Sequence, residues 1–242
     1  MTKMSLSILI MTLLGCLQSC SDDLFDYEQG DMKIRIEQGD NWLHRFDLPL
    51  GLSKRNAPQI AVWLEDTVGH YITTIYVTHK AATQDWLAAG GSRRPESLPH
   101  WSHSRGIVYP DGLCMPTRSQ PLADGISGAT PRGSFDLRLI PADALKCFIV
   151  KVEVNHSTDF NDSFPKSATP GADNYSGGRE GSGQPAVVYA ARVDMASGQT
   201  RFEAALVGHS SPDGSSGDLT SDVSKLTSAL KIVERITVEI KR

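Results

Sequence analysis

The sequence predicts an all-β protein, an Ig-like β-sandwich with long loops and one or two short helices. Three observations carry that prediction. Apolar residues recur with period two along most of the chain, the mark of strands with one buried face. The runs are short and separated by Gly- and Pro-containing turns, with none of the strand–helix–strand alternation that builds a parallel sheet. Helical periodicity is confined to two brief stretches, Thr83 to Ala89 and Asp222 to Leu230.

Along the chain, Met32, Ile34 and Ile36 alternate with Lys33, Arg35 and Glu37. Ile60, Val62 and Leu64 lead into Glu65-Asp66, and after a turn at Val68-Gly69 the run from His70 to Thr78 returns as a second strand. Phe135, Leu137 and Leu139 alternate with Asp136 and Arg138, and Phe148, Val150, Val152 and Val154 with Lys151 and Glu153. Val187 to Val193, Phe202 to Val207 and Ile232 to Ile240 complete a set of about eight or nine strands. Alternation directs Ile34, Val62, Leu137, Val150, Val152, Leu206 and Val238 into the core.

Ahead of this body lies a leader. Lys3 supplies positive charge, and Met4 to Leu14 form an apolar run of signal-peptide length, too short to span a bilayer. Cys16 and Cys20 each close a lipobox-like sequence, Leu13-Leu-Gly-Cys16 and Leu17-Gln-Ser-Cys20. Cys20 is the expected lipid-attachment residue, because small Ser19 precedes it and Ser21-Asp22-Asp23 follows. That arrangement resembles the signal pattern common in Bacteroidetes lipoproteins. The expected organisation is a signal peptide over 1–19, an acidic tether over 20–31 and one β-sandwich domain over 32–242. The mature protein is then an outer-membrane or cell-surface lipoprotein held on a lipid membrane by its N-terminal anchor; a cleaved, soluble secretory protein is the alternative, and both are extracytoplasmic.

The formal charge of -4 argues against a nucleic-acid partner. Cys114 and Cys147 remain in the mature chain, where they form either one bridge or two buried thiols. Two loops exceed simple hairpins: 157–184, rich in Gly, Ser, Asn and Pro and expected to be partly mobile, and 93–131.

The second loop ends in Asp124-Gly-Ile-Ser-Gly-Ala-Thr130, which reads D-G-x-S-G-A-T. It resembles the sequon on which a periplasmic flavin transferase couples FMN, through a phosphoester, to the final Thr. The same pattern occurs in the FMN-carrying subunits of the sodium-pumping NADH:quinone oxidoreductase and its Rnf-type relatives. The resemblance implies covalent FMN on Thr130, with Asp124, Ser127, Gly128 and Ala129 as the rest of the cofactor-binding set. The residue types suit that chemistry: Gly128 and Ala129 leave room around the Thr hydroxyl, and Asp124 and Ser127 shape a turn. Pro131 and Gly133 mark the segment as an exposed loop.

With Pro58 to Asp66, Tyr71 to Thr78 and Arg93 to His103, the D-G-I-S-G-A-T-P stretch resembles a family of bacterial periplasmic and lipoprotein domains of unknown function. Glu153-Val-Asn155, Asp159-Phe-Asn161 and Gly183 to Tyr189 look like its later stretches, so the resemblance spans about Met32 to Val238. Members are associated with flavin transferases, membrane PepSY-type reductases and iron uptake.

Other residues support less. His100 and His103 flank Trp101, but Pro99 argues against the helix that would align them on a metal. Trp101 and Tyr109 are candidates to stack on a flavin, with hydrophobic packing the plainer reading. Asp159, Asn161, Asp162 and Glu153 offer hard oxygen ligands without a calcium-loop spacing, so a solvated loop is expected. Ser127 does not sit in a G-x-S-x-G elbow, and Glu65 and Asp66 face opposite sides of a strand. No catalytic or metal residue is assigned.

The function these readings imply is an extracytoplasmic lipoprotein that carries covalent FMN in a periplasmic or cell-surface redox chain linked to iron uptake. It is a redox carrier more than a stand-alone enzyme, with a flavin transferase and a membrane redox protein as partners. A cofactor-free Ig-like binding lipoprotein of a nutrient-uptake system is the alternative.

Overall fold

The computed structural model describes residues 31–47, 53–84, 86, 93–122, 125–141 and 145–241. The leader, Cys20 and Asp124 lie outside them.

Strand β1 (Met32–Gln38) runs antiparallel to the last strand of the chain, β12 (Val233–Ile240), and to β7 (Phe135–Leu139). With β10 (Arg201–Glu203) they form a four-stranded sheet in the order β10-β12-β1-β7. The second sheet has six strands, β11-β9-β8-β4-β5-β6. Its members are β4 (Gln59–Glu65), β5 (Tyr71–Thr78), β6 (Ile126–Gly128), β8 (Cys147–Asn155), β9 (Val187–Asp194) and β11 (Ala205–His209). All its pairings are antiparallel except β5 with β6. A separate ribbon joins β2 (His44–Asp47) to β3 (Ser53–Asn56).

The two sheets share one core. Ile34, Ile36, Ile236 and Val238 from the first meet Ile60, Val62, Val150, Val152 and Tyr189 from the second. This is the expected β-sandwich. The outer faces differ sharply. On the four-stranded sheet the outward residues form a ladder of ion pairs, Lys33–Glu239 at 2.6 Å, Arg235–Glu37 at 2.8 Å, Arg201–Glu239 at 3.3 Å and Arg35–Asp136 at 3.5 Å. On the six-stranded sheet the outer face is roofed. Ala61, Trp63, Val77 and Val188 pack there against Ala81 and Ala82 of helix α1 (His79–Thr83) and Leu98 and Trp101 of helix α2 (Pro99–Ser104). Strand β4 is therefore buried along its whole length.

Several expectations change. The described residues form twelve short strands in place of the expected eight or nine. The run from Phe202 to Val207 is two strands: β10 belongs to one sheet and β11 to the other, with the chain crossing over at Ala204. Alternation does not carry through such a crossing, and Leu206 emerges 36 % exposed instead of pointing into the core. Leu137 is half-buried against the core, whereas the other five expected core residues are wholly buried. Helix α1 precedes the expected helical stretch and ends where Gln84 turns left-handed (φ 57°). Of Asp222 to Leu230, only the end is helical, in a 3-10 turn over Ser228–Lys231. Pro99 does not prevent a helix but begins one, at the first position, where its missing N–H costs nothing.

The turn at Val68-Gly69 is as expected. The Asp66 carboxylate accepts the N–H groups of Val68 and His70, both at 2.9 Å, and Gly69 takes a φ of +94°. The loop over 157–184 is closed at its ends by main-chain hydrogen bonds. Thr158 N–H donates to Gly181 at 2.7 Å, and Asp159 and Gln184 are paired through their main chains.

Candidate functional site

The described part of the sequon-like stretch begins as a strand rather than a loop. Ile126–Gly128 is β6, the edge strand of the six-stranded sheet, with Ser127 in register with Val77 and Gly128 with Thr78. Just beyond it, two side chains hold the backbone from below. Tyr76 Oη donates to the Ala129 carbonyl at 2.8 Å, and Trp42 Nε1 donates to the Pro131 carbonyl at 3.1 Å. Both rings lean on Phe135, at centroid distances of 5.6 Å and 6.3 Å. Burial pushes the Tyr76 phenol up to about 12, so it remains a donor at neutral pH. Thr130, half-buried, thus lies between two carbonyls that are each tied to the core.

The motif's small residues acquire a structural reason. A Cβ at Gly128 would stand 2.9 Å from Tyr76 Cε2, and one at Gly125 would stand 2.9 Å from the Thr74 side chain. Glycine at these positions lets the edge strand lie flat over β5. Ser127 and Ala129 are exposed and Thr130 is half-buried, so this stretch is accessible from solvent.

Thr130 lines a cleft of about 170 Å³. The other walls are Lys54, Arg55, Asn56 and Ala57 of the β2–β3 ribbon and its exit, Gln59 of β4, Lys80 of α1, Trp86, Arg132 and Ser157. Four of these residues are cationic and none is acidic. Alternation puts Lys54 and Arg55 on opposite faces of their strand, and Lys80 and Arg132 join the same lining from other stretches of the chain. The neutral lining is oriented as well. Gln59 Oε1 accepts the Thr78 hydroxyl at 2.7 Å, which leaves its amide N–H groups to give.

Behind the cleft stands a fixed support. Trp86 Nε1 donates to Gln84 Oε1 at 3.1 Å, and the same oxygen accepts Arg94 N–H at 2.9 Å. The Arg94 guanidinium lies 4.7 Å from the centre of the Trp86 ring, and Lys80 Nζ lies 5.7 Å from it. Arg94 also donates to Glu96 at 2.9 Å and to Ser157 Oγ at 3.0 Å. Burial raises the Glu96 carboxyl, with Arg94 opposing that rise.

The remaining sequence candidates serve packing and hydrogen bonding. His100 Nδ1 donates to the Gly217 carbonyl at 2.7 Å, leaving Nε2 to accept from Lys151 at 3.0 Å; burial lowers its pKa. His103 Nε2 donates to the Gly214 carbonyl at 3.2 Å, and Cys114 Sγ lies 3.4 Å from Nδ1. Trp101 is buried under the roof with its Nε1 on Thr74, so it offers no face to a ligand. Tyr109 lies beneath the Arg93 guanidinium.

Asp159 is buried rather than solvated, accepting the Ser228 hydroxyl at 2.6 Å, and burial raises its carboxyl. Asn161 Oδ1 caps Ser163 and Phe164, and Glu153 binds the start of α2. Among the described residues no group of three or more His, Cys, Asp or Glu could hold a metal ion. Cys114 and Cys147 are both free, the second exposed, so neither a bridge nor two buried thiols is found.

Comparison with protein-family models, with curated proteins and with solved structures finds no match for this chain. The site rests on its own residues. Thr130, Ser127, Gly128 and Ala129 were legible as one motif, but Lys54, Arg55, Gln59, Lys80, Trp86 and Arg132 were not. Only Arg132, two residues past Thr130, carried a local signal.

Proposed function

We propose that this protein is an extracytoplasmic lipoprotein that carries FMN on Thr130 and works as a tethered electron carrier. The observation that supports this best is Thr130 itself. It holds the acceptor position of D-G-x-S-G-A-T and sits beside a cleft whose charged residues, among those described, are all cationic. A phosphodiester at this hydroxyl would be an anion among cations, the arrangement that the residues present fit.

Attachment needs a phosphorus with a leaving group, which FMN lacks and a flavin dinucleotide has. Thr130 Oγ bonds to the flavin-side phosphorus, the pyrophosphate P–O bond breaks, AMP leaves and the hydroxyl proton passes to the transferase. No electrons are exchanged in that step. When bound, the flavin supplies electron transfer; the chain supplies attachment, charge neutralisation and docking. Anchoring through Cys20 would hold the cofactor at high effective concentration beside a membrane redox partner, of the kind found with iron uptake.

The test is intact mass spectrometry of the protein co-expressed with an active periplasmic flavin transferase. Wild type gains one FMN-phosphoryl mass, Thr130→Ala gains none, and Thr130→Ser keeps part of the labelling because it keeps the hydroxyl. Unlabelled wild type would return the chain to a cofactor-free binding lipoprotein.

A further inference from the structure

We infer that the cleft beside Thr130 is a phosphate-ester site that grips the phosphoryl end of the flavin and leaves the isoalloxazine ring outside, open to a redox partner. The inference rests on the proposed attachment at Thr130 and adds what the neighbouring residues do.

Charge is the first support. The chain as a whole carries a formal charge of -4, yet the cleft gathers Lys54, Arg55, Lys80 and Arg132, with no acidic residue among the described residues of its lining. On the far sheet every outward cation of the ladder, Lys33, Arg35, Arg201 and Arg235, has a carboxylate partner. Among the described residues no carboxylate pairs with any of the four cleft cations. Unpaired like charges repel one another, so their grouping fits an anion that joins them. The free amide of Gln59 adds neutral donors to the same lining.

Size is the second. A cleft of about 170 Å³ falls below the roughly 300–1,000 Å³ of pockets that enclose whole organic ligands. It has room for a phosphate and the start of a ribityl chain, not for three fused rings. Trp86 is the only aromatic residue among the described residues of the lining. It is 6 % exposed, with Arg94 and Lys80 against its ring, so it offers no platform for stacking. Its part is to steady Lys80.

The experiment uses the full chain carrying Thr130→Ala, which cannot be labelled, and measures binding of FMN, riboflavin and inorganic phosphate. FMN should bind at least about tenfold more tightly than riboflavin, the worth of one charge-assisted hydrogen bond. Inorganic phosphate should compete with it, and rising salt should weaken it. Adding Lys80→Gln and Arg132→Gln, both exposed and remote from the core, should lose about tenfold or more in FMN affinity. Equal binding of riboflavin and FMN, or an unchanged affinity in the variant without Lys80 and Arg132, overturns the inference.

The two readings fail separately. Labelled wild type whose Thr130→Ala form ignores phosphate sinks the cleft alone. Unlabelled wild type with a phosphate-selective cleft sinks flavin attachment, and with it the flavin as ligand, and leaves a phosphate-ester site.

Discussion

Glu153 spends both carboxylate oxygens on backbone N–H groups at the start of α2, His100 at 3.1 Å and Trp101 at 2.7 Å, and so seats the roof on the sheet. Burial pushes its carboxyl from 4.5 up to about 7, against the pull of those two N–H groups. His156, whose Nε2 donates to the Asn41 carbonyl at 2.8 Å, is pushed by burial from 6.5 down to about 4. The signs oppose. Between pH 4.5 and about 7 the folded chain keeps a proton on Glu153 that the unfolded chain has lost, so this contribution falls as pH rises. Between about 4 and 6.5 the unfolded chain protonates His156 while the folded chain resists, so this contribution falls as pH drops. Each is worth roughly 3 kcal/mol, and the two offset each other where their windows overlap. Urea unfolding should expose the balance. Relative to wild type, Glu153→Gln should gain stability as pH rises across the shared window, and His156→Asn should lose it. Three parallel pH profiles would refute this account.

Among the elements, the crossing at Ala204 has the clearest energetic signature. The Ala204 N–H donates to the Ile236 carbonyl at 3.0 Å as the chain leaves β10 for β11, so residues on either side answer to different sheets. Ile236, fully buried between the sheets, should cost about 2–5 kcal/mol when cut to Ala. Leu206, an equally large apolar residue but 36 % exposed on β11, should cost less than about 1 kcal/mol. Chemical denaturation of the two variants decides; comparable losses would mean that Leu206 is a core residue after all.

For the whole molecule, the proposed function depends on a compartment and a tether as well as on a sandwich. Replacing Cys20 by Ala should move the protein from the membrane fraction to the soluble one, because two acyl chains anchor a protein stably where a short apolar leader does not. Release by Cys16→Ala and not by Cys20→Ala would move the attachment to the other lipobox. The sandwich itself is closed by distant partners: strand β1 pairs with β12, about 200 residues further along the chain, so the central pair of the four-stranded sheet is a long-range contact.

The sequence by itself determined the strands that have one wet face. In β1 and β7, Lys33, Arg35, Asp136 and Arg138 alternate with core residues because water lies on one side and the opposite sheet on the other. It also singled out Thr130 as the proposed acceptor, since a sequon is a contiguous string that is legible without the fold. Tertiary structure decided the rest. Every residue of β4 is buried, and the roof over its outer face shows in the sequence only as apolar Ala61 and Trp63 between Ile60, Val62 and Leu64, which do not say what covers them. The cleft brings Lys54, Lys80 and Arg132 to Thr130 from three separate stretches of chain. No local pattern encodes such a meeting, because charge acts through space and only the folded chain fixes which cations share it.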